Sequence, residues 1–374
     1  MPRIPLLDLH VEKLGAETGS FGEWIVPMRY TSSIEEHMAV RENVGVFDVS
    51  HMGRIRLSGP DVLDFIQYIY TKNLAKVKEY WMSGPTLALN HWARVKDDEM
   101  LYKISDEEWL VVANALSREL MLSHYKKILE EKKYKVEIQD ITYETSMIAV
   151  QGPNAARIME EIGAGWLTDL KILEFRVNTE IAGIPVYLVS RSGWTGEDGF
   201  EIWGDHKSIW RLITLLVEKG AKPTGIIARD TLRMEMGYVL GGHEYGEDPV
   251  KYPCALSLRY GLGAIDWKKK GYIGEEALRA CRREGVRWVR VGLKMSKKSA
   301  RVIPREETMI YVEDQLVGWV TSGSFSPVLK RGIAQAYIDA RYALFGEPVE
   351  LEVRGKRHTA KIVDFPFIEP KSWS

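Results

Sequence analysis

Cysteine is scarce in this sequence of 374 residues, which contains only Cys254 and Cys281. Two isolated cysteines provide neither a disulfide framework nor the paired spacing of a zinc site. The N-terminal residues include Asp8 and Glu12 and have no long apolar core, unlike a secretory signal. So few cysteines are typical of a reducing compartment, and we therefore expect a cytoplasmic protein.

Long apolar runs and an excess of one charge are also missing. No run approaches the ~18 consecutive apolar residues of a membrane-spanning helix. The chain has 51 Lys and Arg against 52 Asp and Glu, so its formal net charge is −1. Such a balance gives no support to binding of nucleic acid or of an anionic membrane. We expect neither a membrane nor a nucleic acid as a partner.

Several catalytic motifs do not occur in the chain. It has no G-x-G-x-x-G, no phosphate loop ending in Gly-Lys-Ser/Thr, no G-x-S-x-G and no H-E-x-x-H. This argues against dinucleotide enzymes, nucleoside triphosphatases, serine hydrolases and common metalloproteases. His51 and His243 belong to no recognisable set of metal ligands, so we expect a structural or surface role for both and no bound metal.

The composition that remains is that of a large globular protein. Hydrophobic residues make up 45% and charged residues 28% of the chain, which excludes an intrinsically disordered protein. A length of 374 residues predicts roughly two or three domains.

One local unit occurs twice. In residues 55–66 a short strand runs into Gly59-Pro60, and an apolar helical pattern follows. Residues 147–158 repeat the order of strand, Gly152-Pro153 and helix. Two such units predict an α+β region with a pseudo-symmetric centre.

The pattern changes near residue 286, where short strands with intervening turns begin. Regular short strands over ~90 residues indicate a small barrel or sandwich. The predicted strands are residues 288–293, 309–312, 316–321, 333–338, 349–353 and 358–363.

The stretch from Ser190 to Ile202 is the most distinctive segment. It has glycines at 193, 196 and 199, with an aromatic residue and two carboxylates between them. Glycine is favoured where the backbone needs a positive φ or where another group approaches closely. The segment is either a loop that presents side chains to a ligand or an ordinary polar turn between strands.

Two groups of charged residues are candidates for a site. Adjacent residues of a strand point to opposite faces, so Asp97 and Asp98 should face different surroundings, one a pocket and one the solvent. The pair is either functional or part of an ordinary turn. Arg229 and Arg233 share a helix face and repel each other unless Asp230 and Glu235 compensate, or unless an anionic ligand binds there.

Four motifs in a fixed order carry a resemblance to a known family. The chain resembles the T-protein of the glycine cleavage system, in the superfamily of folate-dependent aminomethyltransferases and demethylases. The resemblance extends from Pro5 to about Pro366. The motifs are F-D-V-S-H-M-G at Phe47–Gly53, S-R-S-G-W-T-G-E-D-G-F-E at Ser190–Glu201, A-R-D-T-L-R-M-E at Ala228–Glu235 and T-S-G-S-F-S-P at Thr321–Pro327.

The resemblance implies the architecture and the division of the chain. The expected fold class is α+β, with a folate-binding region of two interlaced α+β domains around a central channel and a C-terminal β-barrel. We expect the folate-binding region in residues 1–280 and the barrel in residues 281–374.

It also implies a reaction. An aminomethyl group carried on the lipoyl arm of the H-protein passes to tetrahydrofolate as the acceptor co-substrate. The products are methylenetetrahydrofolate, ammonia and the reduced lipoyl arm.

Site residues follow by matching the family's motifs. Asp98 matches the catalytic carboxylate, which would orient the folate nitrogens and stabilise a cationic, iminium-like species. Glu201 matches the carboxylate that grips the pterin. The other positions expected to line the folate site are Met52, Tyr102, Asn114, Trp194, Arg229 and Tyr238.

The sequence departs from the family pattern at several positions. Trp194 stands where tyrosine is usual, and Pro85 stands where a folate-contacting tyrosine is common. Glu23 replaces a glycine, Lys72 interrupts T-N-D, and residues 91–96 lack the usual glycines before the carboxylate. These changes bear on the donor more than on the acceptor.

Three alternatives therefore remain at this point. The first is a tetrahydrofolate-dependent demethylase that acts on a small N-, O- or S-methylated compound. The second is a folate-binding protein without transfer chemistry, against which Asp98 argues. The third is a nucleic-acid-modifying relative, which the charge of −1 does not support.

Overall fold

The computed structural model describes residues 1–373 and mixes helices with sheets, which confirms the predicted α+β class. The helices are α1 Leu7–Leu14, α2 Ser33–Glu42, α3 Val62–Ile69, α4 Arg118–Lys132, α5 Ala155–Glu161, α6 His206–Glu218, α7 Ile226–Met236 and α8 Glu275–Glu284. The strands before α4 are β1 Glu17–Phe21, β2 Trp24–Arg29, β3 Gly45–Asp48, β4 Gly53–Ser58, β5 Trp81–Leu89, β6 Val95–Ser105 and β7 Glu108–Ala113. Those that follow are β8 Glu137–Asp140, β9 Ser146–Gln151, β10 Phe175–Ile181, β11 Ile184–Ser190, β12 Gly199–Gly204, β13 Lys222–Pro223, β14 Trp288–Met295, β15 Met309–Val312, β16 Gln315–Ser326, β17 Arg331–Asp339, β18 Pro348–Val353 and β19 Lys356–Val363.

Two compact units divide the chain. The first comprises residues 1–86 and 98–229 with a C-terminal segment that begins at Pro370. The second comprises residues 87–97 and 230–369. The functional boundary predicted between residues 280 and 281 stays a prediction.

Two sheets form the framework of the first unit. One has six strands in the order β10-β11-β12-β9-β3-β13, and the other has five in the order β5-β6-β7-β4-β8. The chain enters the six-stranded sheet with β3, crosses to the five-stranded sheet at β4, and returns with β9. This exchange is the interlacing that the resemblance implied.

The repeated strand, Gly-Pro and helix unit occurs once in each sheet. β4 leads through Gly59 to α3, and β9 leads through Gly152 to α5. The two glycines have φ of 135° and 141°, and a Cβ would lie 2.2 Å and 2.3 Å from a backbone oxygen of Lys135 and of Asn43. The conformation and the close approach both require glycine, so the duplication seen in the sequence is also a duplication of backbone geometry.

Alternation along β12 separates a core face from a site face. Phe200 and Ile202 are buried in the cluster that α5 and α6 form against the six-stranded sheet. Glu201 and Trp203 point to the opposite face because successive strand residues alternate. The hydrophobic core therefore fixes the direction in which Glu201 points.

Helix α2 has Ser32 as its N-cap, whose hydroxyl accepts from the Glu35 amide at 3.2 Å. Glu36, in the first turn of this helix, is buried and accepts from the backbone amides of Tyr30, Thr31 and Gly225 at 2.7–2.8 Å. This carboxylate anchors the chain just before α7, which carries Arg229.

A closed barrel of six strands lies in the second unit, in the order β14-β17-β16-β15-β18-β19. The strands that alternation predicted are all present, and closure leaves no strand edge unpaired. The interior is filled by small and branched side chains, which include Val291, Leu293, Ala334, Ala336 and Ile362. This confirms the predicted C-terminal β-barrel.

Within residues 1–373, no helix has both the length and the apolar character needed to cross a membrane.

Candidate functional site

The strand register of the five-stranded sheet aligns three of the predicted site residues. Gly53 of β4 pairs with Ala113 of β7, and Met100 of β6 pairs with Val112. Continuing that register places Met52, Asn114 and Asp98 in one row across three neighbouring strands. Residues distant in sequence thus meet at one end of the sheet.

The side chain of Asn114 holds Asp98. Its Nδ2 donates to the backbone oxygen of Asp98 at 2.9 Å and to Oδ1 of the carboxylate at 2.9 Å. Asp98 is 7% exposed, so this amide orients a carboxylate that is largely removed from water. A buried, oriented carboxylate favours positive charge next to it.

Arg54 fixes the turn that presents Met52. Its buried guanidinium donates to the backbone oxygens of Ser50 at 3.1 Å and of Met52 at 2.7 Å. A buried arginine needs such partners, and satisfying them makes the turn rigid. Nothing in the sequence pattern pointed to Arg54.

Asp97 and Asp98 point to opposite faces as predicted, but neither reaches solvent. Asp97 is fully buried and accepts from the Tyr245 hydroxyl at 3.0 Å. The expectation that one of the pair faces solvent is therefore wrong, because β6 is covered on both of its faces. Glu99, next along the strand, is bonded to the hydroxyls of Tyr70 and Tyr125.

Glu201 and Tyr102 lie in one polar network between the two sheets of the first unit. The Ser192 hydroxyl donates to Glu201 at 2.6 Å and lies 2.8 Å from the Ser190 hydroxyl. Both serines also lie close to Tyr102 and act to lower its pKa. Burial and the nearby Glu201 carboxylate raise the pKa of Tyr102 well above its ordinary value, so its phenol stays protonated.

Aromatic contacts set the position of Tyr102. Its ring packs edge-on against Phe175 at 5.3 Å and against Trp203 at 5.2 Å, measured between ring centroids. Asp98 and Tyr102 lie on the same face of β6 because they are four residues apart in a strand. Both therefore face the six-stranded sheet.

Arg229 is the cation of this site. Burial lowers its pKa, and the Glu201 carboxylate opposes that shift. Burial likewise raises the pKa of Glu201, against the effects of Ser192 and Arg229. The Nη1 atom of Arg229 is buried and has no hydrogen-bond partner among residues 1–373. A buried donor of this kind is costly unless a bound ligand satisfies it.

His51 is also buried beside this cation, as expected for a structural histidine. Burial lowers its pKa to about 3, and Arg229 adds to the shift. The ring is therefore neutral at physiological pH, and its buried Nδ1 has no partner within the described part of the chain.

The glycine-rich loop between β11 and β12 is held by ion pairs. Arg191 donates from Nε and Nη2 to the two carboxylate oxygens of Asp198 at 2.9 Å and 2.7 Å. Glu197 is 6% exposed and accepts from Arg41 at 3.0 Å and from the Ser372 amide at 3.0 Å. Both carboxylates of the loop are occupied in shaping it, while Glu201 on β12 remains directed at the site.

Trp194 and Tyr238 are the remaining predicted residues. Trp194 lies half-buried in the loop before β12. Tyr238 belongs to the second unit, where its ring packs edge-on against Tyr260 at 6.3 Å and its backbone oxygen accepts from Gln335 at 2.8 Å. Folate contact by either residue stays a prediction.

The second arginine of α7 has a structural role. Arg233 pairs with Asp230 at 2.8 Å, as predicted, and with buried Glu244 at 3.1 Å. Glu235 was the wrong partner, because its carboxylate accepts from Ser326 at 2.6 Å. Glu244 lies beyond the helix, and the sequence pattern did not indicate it.

His243, the other histidine for which a structural or surface role was predicted, pairs with Glu306 at 2.9 Å. Among the described residues, no group of three or more His, Cys, Asp or Glu could hold a metal ion.

Ser190 and Ser192, like Arg54, are members of the site that the sequence analysis missed. They are two residues apart, so they lie on one face at the end of β11, and Ser190 pairs in register with Glu201. The serines at alternate positions of S-R-S were the available signal in the sequence. The sequence did not show that Glu201 lies opposite them on the neighbouring strand.

Comparison with family models assigns both parts of the chain. Residues 6–260 match the GCVT N-terminal domain, and residues 289–369 match the glycine cleavage T-protein C-terminal barrel domain.

Relatives match over nearly the full length. A probable aminomethyltransferase of Aeropyrum pernix is 58% identical over 363 residues, which cover 97% of this chain and 96% of that protein. An aminomethyltransferase of Thermus thermophilus is 37% identical over 99% of this chain and 100% of its own. The crystal structure of the glycine cleavage system aminomethyltransferase T from Bartonella henselae has a TM-score of 0.87 at 28% identity and covers 98% of each chain. The chain therefore belongs to the GCVT family, that of the glycine cleavage T-protein.

Proposed function

We propose that this protein is the aminomethyltransferase of a glycine cleavage system. It transfers the aminomethyl carbon from the lipoyl arm of H-protein to tetrahydrofolate and releases ammonia. Family membership makes it a folate-dependent one-carbon transferase. The single observation that carries the proposed aminomethyl transfer is the buried Asp98 carboxylate, which Asn114 holds. Asp98 lies on the face of β6 that also carries Tyr102, next to Glu201.

The polar groups of the site suit tetrahydrofolate. This co-substrate supplies a flat ring system with N–H donors, nucleophilic nitrogens and an anionic tail. Glu201 provides an acceptor for ring N–H groups, and Met52 provides an apolar, polarisable surface. Arg229 offers a buried donor without a partner in residues 1–373, which an acceptor atom of the ligand would satisfy.

Asp98 has a role that follows from its charge and burial. Carbon transfer from an aminomethyl donor develops positive charge near the transferred carbon. A carboxylate oriented in advance stabilises that charge without reorganisation of solvent. Asn114 is then a positioning residue, since it touches Asp98 and sets the direction of the carboxylate.

The proposed donor follows from the family. H-protein is the donor carrier implied by the family, and the cited relatives are aminomethyltransferases by name. The demethylase alternative is not favoured for that reason.

Among the family departures, Lys72 now has a structural setting, in which its amine donates to the Ser83 backbone oxygen. A cytoplasmic location stays a proposal based on the low cysteine content.

The decisive experiment supplies two kinds of donor to the purified protein with tetrahydrofolate. One reaction contains aminomethylated H-protein, and the others contain single methylated amines, ethers or thioethers. We expect methylenetetrahydrofolate and free ammonia with H-protein only. Methyltetrahydrofolate from a small donor would instead establish a demethylase, and binding of folate without any product would establish a binding protein.

A further inference from the structure

Three side chains of the first unit that were not assigned to the site form a hydrogen-bonded bridge. His10 of α1 stands in the middle, with Nε2 2.9 Å from an Asp48 carboxylate oxygen and Nδ1 2.8 Å from the Tyr30 hydroxyl. His10 is 2% exposed and Asp48 is 5% exposed. The Trp210 ring packs edge-on against the imidazole at 5.5 Å between ring centroids. This arrangement, the His10 bridge, joins three segments that are distant in sequence.

The protonation of the bridge follows from its surroundings. Burial acts to raise the pKa of Asp48, but the interactions with His10 and Ser50 outweigh burial and lower it. The carboxylate is therefore ionised at neutral pH and accepts from Nε2. Burial and the nearby Asp48 and Glu36 carboxylates raise the pKa of Tyr30 well above its ordinary value, so its hydroxyl keeps a proton to donate to Nδ1. One imidazole ring thus satisfies both partners and holds them at a fixed distance.

One end of the bridge fixes the turn that carries Met52. The second carboxylate oxygen of Asp48 accepts from the Ser50 amide at 2.9 Å, an Asx-type turn that bends the backbone after β3. The Met52 amide then donates to the Val49 oxygen at 3.0 Å. Asp48 and Arg54 therefore hold the same turn from its two ends.

The other end of the bridge is tied to the start of α7. Glu36 accepts from the backbone amides of Tyr30 and Thr31 through one carboxylate oxygen. Its other oxygen accepts from the Gly225 amide at 2.8 Å. A Cβ at Gly225 would lie 2.2 Å from the Met28 oxygen, so only glycine permits this close approach of the two backbones. The start of α7 is thus packed against the segment that carries the Tyr30 side chain.

Both ends of the bridge lead to Arg229. Gly225 lies one helical turn before it, and the Arg229 amide donates to the Gly225 oxygen at 3.1 Å. His51, in the turn at the other end, is close enough for the Arg229 guanidinium to lower its pKa. The turn that carries Met52 and the helix that carries Arg229 are therefore neighbours, and the His10 bridge joins the backbones of both.

We propose that His10 is a positioning residue of the tetrahydrofolate site. Through the bridge it holds the Met52 turn and the Arg229 helix at a fixed separation. The part that these two elements play in folate binding rests on the function proposed above, whereas the bridge itself does not. A ligand that contacts both elements gains from such pre-organisation, because the protein does not have to order them on binding.

Variants of His10 that keep or lose the bond to Asp48 test this role. In His10→Gln the amide nitrogen takes the place of Nε2 and retains the bond, whereas the shorter side chain of His10→Asn does not reach Asp48. Calorimetry should show tetrahydrofolate binding about tenfold weaker in His10→Asn and within about threefold of wild type in His10→Gln. Wild-type affinity in His10→Asn would overturn the proposal, and so would equal weakening in the two variants.

Steady-state kinetics separate positioning from catalysis. Met52 and Arg229 are assigned to acceptor binding, so His10→Asn should raise KM for tetrahydrofolate about tenfold and leave kcat within about twofold. Tyr30→Phe removes only the hydroxyl and should raise KM by about threefold, and it serves as the test if His10→Asn fails to fold. A fall in kcat with an unchanged KM would overturn the assignment.

A matched loss of stability distinguishes the bridge from general loosening of the fold. Leu216→Ala removes core packing of α6, so it should lower the melting temperature at least as much as His10→Asn while folate affinity stays unchanged. Equal weakening of binding in Leu216→Ala would mean that lost stability is the cause, and it would overturn the proposal.

Hydrogen exchange tests the bridge without any ligand. In the free protein, His10→Asn should speed amide exchange about tenfold in both connected segments, residues 49–52 and 225–229, whereas Leu216→Ala should not single them out. Faster exchange in only one segment, or in neither, would overturn the link. Failure of the wild-type protein to bind tetrahydrofolate would refute the proposed function, and the exchange result would still decide whether His10 holds the two segments.

Discussion

The two sheets of the first compact unit each contain the repeated segment of strand, Gly-Pro and helix. They present their carboxylates by different means. In the five-stranded sheet, register places Asp98 beside Asn114, and an amide from the neighbouring strand orients the carboxylate. In the six-stranded sheet, Glu201 takes its partner from a loop, through the Ser192 hydroxyl, and has Arg229 nearby.

This difference separates two tasks. A carboxylate fixed by an amide from an adjacent strand has a rigid direction, which suits stabilisation of charge during a reaction. A carboxylate in a hydroxyl network beside a partly unsatisfied arginine can exchange partners when a ligand arrives. We therefore assign the chemistry to Asp98 and the binding of the acceptor to Glu201.

The largest effect is expected from Asp98→Asn. The substitution keeps an oxygen for Asn114 but removes the negative charge, so kcat should fall by roughly 10³-fold, about 4 kcal/mol, while tetrahydrofolate binding stays within about tenfold. Kinetics of the H-protein reaction and calorimetry of folate binding give the two values. Asp97→Asn is the matched control on the opposite face, and a kcat as low as that of Asp98→Asn would remove the distinction between the neighbours.

The next effect concerns the repeated segment of strand, Gly-Pro and helix, which occurs in both sheets. Gly59→Ala and Gly152→Ala each place a methyl group close to a backbone oxygen at a positive φ, so each should lower the free energy of unfolding by about 3 kcal/mol. Denaturant titration measures both. Gly163→Ala, which has a positive φ but nothing within 4 Å of the new Cβ, should cost only about 1 kcal/mol. If one of the pair behaved like the control, the two copies would not be equivalent.

Glu201→Ala tests the binding side of the comparison. Loss of a buried acceptor should weaken tetrahydrofolate binding by roughly 10- to 100-fold, about 1.4–2.7 kcal/mol. Calorimetry measures the dissociation constant, with exposed Glu180→Ala on the same sheet as control. Native affinity in Glu201→Ala would mean that another group holds the acceptor.

The smallest effect is a pH dependence from His51, which lies between the last residue of β3 and the first of β4. Its folded-state pKa of about 3 is below its ordinary value. Under acid, the unfolded chain therefore binds a proton that the folded chain does not, and stability is lost as the pH falls. About 2 kcal/mol should disappear between pH 7 and pH 5.

Denaturant titrations of the wild-type protein and of His51→Gln at the two pH values measure this loss of stability. The variant should lose less stability on acidification than the wild-type protein, and exposed His91→Gln should behave like wild type. The contribution of Glu201 to the free energy of unfolding depends on pH in the opposite direction. Its pKa is raised in the folded state, so the folded protein holds the proton more tightly. This contribution therefore falls as the pH rises through that pKa. An unchanged acid response in His51→Gln would show that His51 is not the group responsible.

Much of the fold could be predicted because it is encoded locally. Alternation of apolar residues identified all six strands of the barrel, and Gly59 and Gly152 identified the repeated unit through their backbone requirements. Within the site, the resemblance to the family supplied Asp98 and Glu201. The carboxylates at 197 and 198 were equally conspicuous in sequence, and only their ion pairs show that they shape the loop.

What the sequence by itself determined is therefore the set of local elements, the family and the main candidate carboxylates, because periodicity, steric limits on φ and ordered motifs act over a few residues. Tertiary structure alone decided the row of Met52, Asn114 and Asp98 and the serines that hold Glu201. Each of these depends on register or packing between segments far apart in the chain. The sequence pattern does not give the distance in space between such segments, because that distance is set only when the core packs.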